Sequence, residues 1–270
     1  MTDFNFKENY GIDDLLEIMK ILRAPGGCPW DAQQTHASIK KDFIEETYEV
    51  IEAINKNDKE LLLEELGDVL LQVVFHSEIE RAEGSFSFSD VADGICKKLI
   101  ERHPHVFGEV KVSGTDEVLS NWDDIKRKSK NQKTQGSSML KVPKELPALM
   151  RAQKVQSKAK KAGFDWDDIS GAFDALECEI KELRQAIDMK NQDAVEEEMG
   201  DIFFSAVNVS RFLGVDSEEA LTRSNEKFIT RFLEVERLAD EKGIDMKNTP
   251  IDELDELWKQ AKINLVSNRD

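Results

Sequence analysis

The sequence predicts an all-α protein, and three observations carry that expectation. Apolar residues recur at three- and four-residue spacing along most of the chain. Only residues 85–89, S-F-S-F-S, alternate as a strand would, over too short a run to form one. Proline, glycine and asparagine fall where one helix must stop and the next begin. In order, Leu15, Ile18, Met19 and Leu22 form the first apolar stripe, which Pro25, Gly26 and Gly27 end. A second helix is expected from 35–38 to Asn55, where N-K-N-D breaks the pattern. The third spans 59–83 and stops at Gly84. The fourth spans 89–102, because His103 precedes Pro104 and a residue before proline avoids the α region. A short helix over 116–130 follows. Residues 127–161 hold eleven of the 37 basic residues and one acid, Glu145, and 128–144 reads as a basic flexible linker. It divides an N-terminal module, 1–127, from a C-terminal module, 145–270. Helices resume near Pro147 and continue over 167–189, 193–213 and 217–242. The last starts at Thr249-Pro250 and carries Trp258.

Charge and composition exclude several classes. The 270 residues include 37 Lys and Arg against 55 Asp and Glu, a net charge of −18. A phosphate backbone repels such a surface, so no nucleic-acid partner is expected. The longest apolar run, V-L-L-Q-V-V-F, is far short of the roughly 20 residues that cross a membrane. The first ten residues show no basic stretch followed by an apolar one, hence no expected leader. Three scattered cysteines, Cys28, Cys96 and Cys178, read as small buried thiols of a reducing compartment. The expectation is a cytoplasmic protein with no membrane partner.

The two halves repeat each other. E-E-T-Y-E with a later E-E-L-G-D returns as E-C-E-I-K-E with a later E-E-M-G-D. Glu46, Glu49, Glu65 and Asp68 correspond to Glu179, Glu182, Glu198 and Asp201 at one offset, since 179 − 46, 182 − 49, 198 − 65 and 201 − 68 all equal 133. Downstream, Lys98 and Arg102 match Lys227 and Arg231, and Trp122 and Lys126 match Trp258 and Lys262. Residues three apart share a helix face. The break between the two acid-bearing helices centres near Asn57, eight residues from both Glu49 and Glu65 and eleven from both Glu46 and Asp68. An antiparallel hairpin therefore gathers four carboxylates in one place, and the second module has the same symmetry about Lys190. Such a cluster raises its own pKa values unless a cation neutralises it. Oxygen-only donors suit Mg²⁺, or Mn²⁺. No histidine has a Glu three residues before it, which excludes the di-iron bundle pattern. Mg²⁺ held by carboxylates commonly meets substrate phosphates, which the basic pairs Lys98/Arg102 and Lys227/Arg231 are spaced to hold.

With these residues in view, the chain resembles the MazG nucleoside triphosphate pyrophosphohydrolases in their tandem-domain form. The likeness rests on C-P-W-D-A-Q-Q-T-H-A-S-I (28–39), E-E-T-Y-E with E-L-G-D, and R-H-P-H-V-F-G (102–108). In the second half it rests on R-A-Q-K-V-Q (151–156), G-F-D-W (163–166), E-E-M-G-D and N-E-K-F-I-T-R-F. It implies two bundles of the all-α NTP pyrophosphatase type, Mg²⁺ dependence, a homodimer, and hydrolysis of NTP or dNTP to the monophosphate and pyrophosphate. By that likeness Glu179, Glu182, Glu198 and Asp201 are metal-binding and catalytic, with Glu46, Glu49, Glu65 and Asp68 as a second candidate site. Lys227, Arg231, Trp258 and Lys262 would contact nucleotide, with Lys98, Arg102, Trp122 and Lys126 as their first-half counterparts. The reaction would be attack of a metal-activated water on the α-phosphorus, one glutamate accepting its proton. One departure stands out: Glu45 of the first half is Cys178 in the second, a position expected to flank the metal face.

Other features read two ways. Gly67 and Gly200 either weaken their helices or allow close helix packing. Trp122 and Trp258 are either core residues or base-stacking platforms. His103 and His105 flank a helix-ending proline and read as structural, and Cys28 and Cys96 as small core residues. Two other functions fit the same acids: a non-catalytic helical partner-binding regulator, and a narrow hydrolase of dUTP or damaged dNTPs.

Overall fold

In the computed structural model, residues 4–267 are described except 116, 119, 120, 123, 124 and 126–134. Among the described residues every regular element is a helix. The chain divides into two compact units, Met1–Lys128 and Ser129–Asp270.

In the first unit, α1 (Ile12–Arg23) opens with the Gly11 amide bonded to Asp14. It closes at a turn where Gly27 is obligatory, because a Cβ there would stand 2.2 Å from the Ile21 carbonyl oxygen. Next come α2 (Pro29–Gln33), α3 (Lys40–Lys56) and α4 (Lys59–Glu83). They are followed by α5 (Phe88–Arg102) and α6 (Pro104–Phe107). Met19, Ile39, Val74, Phe75 and Ile79 form the buried core, with Leu15, Leu16, Leu71 and Phe88 packed around it.

In the second unit, a turn of helix, α7 (Gln135–Met139), precedes α8 (Ala148–Lys161). The long helices are α9 (Ile169–Asp188), α10 (Gln192–Phe212), α11 (Ser217–Lys242) and α12 (Ile251–Ser267). Its core cluster sits between α11 and α12: Val235, Leu238, Ala239, Leu257 and Ala261.

Four differences from the sequence reading have physical causes. The second helix, α3, starts at Lys40 rather than within 35–38, because residues 36–39 turn so that Ile39 enters the core. There His36 stacks on His76, and its Nε2 lies 2.7 Å from Glu80. The short helices α2 and α6 were absent from the reading; each begins on a proline and is too brief to show periodicity. Within the expected linker, residues 135–142 are structured, with Ser138 and Val142 buried. The linker's residues 128–134, and most of the expected helix over 116–130, lie outside the described residues. Cys96 and Cys178 are exposed and Cys28 half-buried, so they are not the buried thiols expected.

Candidate active site

The site of each unit is built on a two-helix hairpin. Asn57 takes the left-handed conformation (φ 53°) that stops α3, and Asp58 caps α4, its Oδ1 accepting the amides of Glu60 and Leu61 at 3.1 Å. In the second unit Lys190 is left-handed (φ 54°) and Asn191 caps α10 through a bond from the Ala194 amide at 3.3 Å. The two stops stand 190 − 57 = 133 residues apart, the spacing of the acids themselves. A left-handed residue followed by a side-chain cap folds the chain sharply back, so α3 runs against α4 and α9 against α10.

The register brings glutamates together. Carboxylate oxygens of Glu46, Glu49 and Glu65 lie within 4.8 Å of one another, as do those of Glu179, Glu182 and Glu198. The aspartates of the expected four-acid sites, Asp68 and Asp201, are not members of these two groups. Their charge is nevertheless felt. Loss of water, then Asp68 and bonding to Glu49, push Glu46 up to about 7. Glu65 is raised by loss of water and then by Glu49. Glu179 is raised by loss of water, then by Asp201, Glu182 and Glu198; Glu198 by loss of water, then by Glu182 and Asp201. Cys178 does more than flank the cluster, for its Sγ–H donates to Glu182 Oε1 at 3.1 Å.

The donors fit a hard divalent cation. They are all oxygens, they crowd despite mutual repulsion, and one of them, Glu198 Oε2, is buried without a hydrogen-bond partner.

The basic residues gather on an aromatic ring. Arg231 Cζ and Lys262 Nζ each lie 5.9 Å from the Trp258 ring centroid, and Phe228 packs on the same ring at 5.2 Å. Trp258 is half-buried at the edge of the second core, so it serves packing while carrying two cations. Lys227 is exposed one turn before Arg231. The first unit repeats the motif in part: Arg102 Cζ lies 5.6 Å from the Trp122 ring, and Lys98 is exposed on α5. Lys126 lies outside the described residues. His103 Nδ1 meets the Leu99 carbonyl at 2.6 Å, a helix-end bond in keeping with a structural role. The two glycines beside the acids do not seat a neighbouring helix within their unit, since a Cβ on Gly67 or Gly200 would meet nothing within 4 Å.

Comparison with known proteins identifies the architecture. Residues 34–107 and 172–235 match the MazG nucleotide pyrophosphohydrolase domain. The chain belongs to the MazG family. Each matched segment contains one whole set of acids. The nucleoside triphosphate pyrophosphohydrolase/pyrophosphatase MazG of Thermotoga maritima is 45% identical over 250 residues, covering 93% of this chain and 95% of that one. The nucleoside triphosphate pyrophosphohydrolase of Escherichia coli is 45% identical over 256 residues, covering 93% and 97%. The uncharacterized protein YabN of Bacillus subtilis is 47% identical over 247 residues, which span 91% of this chain but 50% of YabN.

Proposed function

We infer that this MazG-family chain hydrolyses nucleoside triphosphates to the monophosphate and pyrophosphate, with the chemistry in the second unit. The single observation that carries the reading is the convergence of Glu179, Glu182 and Glu198 to within 4.8 Å on a hairpin inside the segment that matches the family domain. Glu179, Glu182, Glu198 and Asp201 hold Mg²⁺, or Mn²⁺, and the first unit's Glu46, Glu49, Glu65 and Asp68 form the second site. A divalent cation bound there neutralises the triphosphate and polarises its α-phosphorus. The chain's own groups do the rest. A glutamate of the cluster, its proton affinity raised by its neighbours, accepts the proton of the attacking water. Lys227, Arg231 and Lys262 offset the charge that accumulates on departing pyrophosphate, and Trp258 holds two of these cations in place.

A homodimer accompanies this reading. Both hairpins expose apolar side chains, Ile44, Tyr48, Leu63 and Leu66 in one and Phe173, Ile180 and Phe203 in the other. The space around Gly67 and Gly200 leaves room for a partner backbone on the same helices. A net charge of −18 disfavours nucleic acid as a partner, and three unpaired cysteines suit the cytoplasm.

The test is product analysis with mixed NTPs and Mg²⁺. Pyrophosphate and NMP are expected, whereas orthophosphate would overturn the reading. Glu198→Gln should lower pyrophosphate release by at least about a hundredfold, the usual scale of general-base loss, with the helical circular-dichroism signal unchanged. Full turnover in Glu198→Gln, with loss in Glu65→Gln, would move the chemistry to the first unit.

A further inference from the structure

The two acid clusters share one register, yet their middle members are held differently. Glu49 is half-buried, whereas its counterpart Glu182 is the exposed member of the second trio. Glu49 also bonds, side chain to side chain, with Glu46 and with Glu65. Each such carboxyl–carboxyl bond needs a proton between two oxygens, because an ionised carboxylate only accepts. In the second unit Glu182 acts on Glu179 and Glu198 through its charge. Its Oε1 accepts instead from the Cys178 thiol at 3.1 Å. One cluster closes on itself, and the other is braced from its flank.

The brace follows from one substitution. Residues four apart lie on one helix face, so Cys178 stands one turn before Glu182 on α9 as Glu45 stands before Glu49 on α3. The offset of 133 that relates the acids pairs 45 with 178, and only there does the acid give way to a thiol. An ionised Glu45 carries the same charge as Glu49 and has no hydrogen to offer it. Cys178 is neutral and has one, which the neighbouring carboxylate helps it keep. We propose that Cys178 is a positioning residue of the second unit's metal site: its S–H holds Glu182 by Oε1 and leaves Oε2 to the cation.

The bond acts both before and after a cation arrives. Beforehand it removes rotamers of an exposed side chain that binding would otherwise have to order, a restriction that burial already imposes on Glu49. Afterwards it satisfies the oxygen that the cation leaves free, as groups standing behind a metal ligand commonly do. Sulfur itself stays behind Glu182, so the cation still meets oxygens and the site keeps its suitability for Mg²⁺ or Mn²⁺.

The proposal rests on reading the second trio as a metal site, and it is tested without hydrolysis. Mn²⁺ binding is followed by the electron paramagnetic resonance of the free ion, on the full chain carrying Glu65→Gln to silence the first cluster. In that background Cys178→Ala should weaken the tighter class of site by about fivefold, since a thiol is a weaker donor than the groups whose loss costs tenfold or more. Cys178→Ser keeps a donor and should stay within about twofold. Circular dichroism and thermal unfolding control for folding. In turnover, added Mg²⁺ should restore pyrophosphate release to the Ala variant, which it could not do for a structural lesion. Mn²⁺ held equally by all three chains overturns the proposal and leaves the metal site standing. A loss as large in Cys178→Ser as in Cys178→Ala also overturns it, because the effect then comes from the packing of sulfur and not from donation. If the Glu65→Gln chain binds no Mn²⁺ at all, the site reading and the proposal fall together.

Discussion

Loss of water, then the charge of Asp68 and bonding to Glu49, push the Glu46 carboxyl up to about 7. Its unfolded value is near 4.5, so its folded value is raised. A raised carboxyl contributes stability that is complete below the unfolded value and is lost as pH climbs through the folded one. In chelator, the melting temperature should therefore decline between about pH 4.5 and 7, and Glu46→Gln should flatten that part of the profile. Thermal unfolding at half-unit pH steps reads the difference. A decline of equal size in the variant would mean that other groups cause it. The acids were legible because one offset relates them all and helix spacing fixes their face. The space between α8 and α10 that Gln156 and Asn208 both line was not, because it exists only when those two helices pack. Nor was the bond from Cys178 to Glu182, since a one-turn spacing says which face a thiol shares but not what it touches.

Long helices declared themselves by period and by their stops, and the hairpin turns carried the clearest local signals. Asp58 satisfies two amides that α4 would otherwise leave open, so Asp58→Ala should cost about 1 kcal/mol, read as a shift of the urea midpoint with unchanged slope. A shift below the error of the melt would show that water replaces the carboxylate. Where the reading erred, competing interactions decided. The start of α3 gave way to burial of Ile39, and the basic segment after 134 folded where Ser138 and Val142 found cover. Gly67 and Gly200 were read as a choice between weakness and packing, and the space beside them excludes packing within their own unit.

At the level of the whole chain the repeat was visible as arithmetic, whereas the unlike interiors of its copies were not. Apolar and polar substitutions at matched positions, Phe75 against Asn208 among them, change what is enclosed without changing the helical pattern. The exposed apolar sides of both hairpins bear on assembly. Ile180→Glu should convert a dimer into a monomer in sedimentation equilibrium while retaining helical content, and a dimer of unchanged affinity would place the interface elsewhere.

The elevated carboxyl of the first hairpin has one more consequence, a calorimetric one. With its carboxyl pushed up to about 7, Glu46 still carries part of a proton near neutrality, so a cation entering among these oxygens should release protons into the medium. The injection heat will then vary with the ionisation enthalpy of the buffer at pH 7. The dependence should vanish at pH 8.5, where that oxygen is already bare.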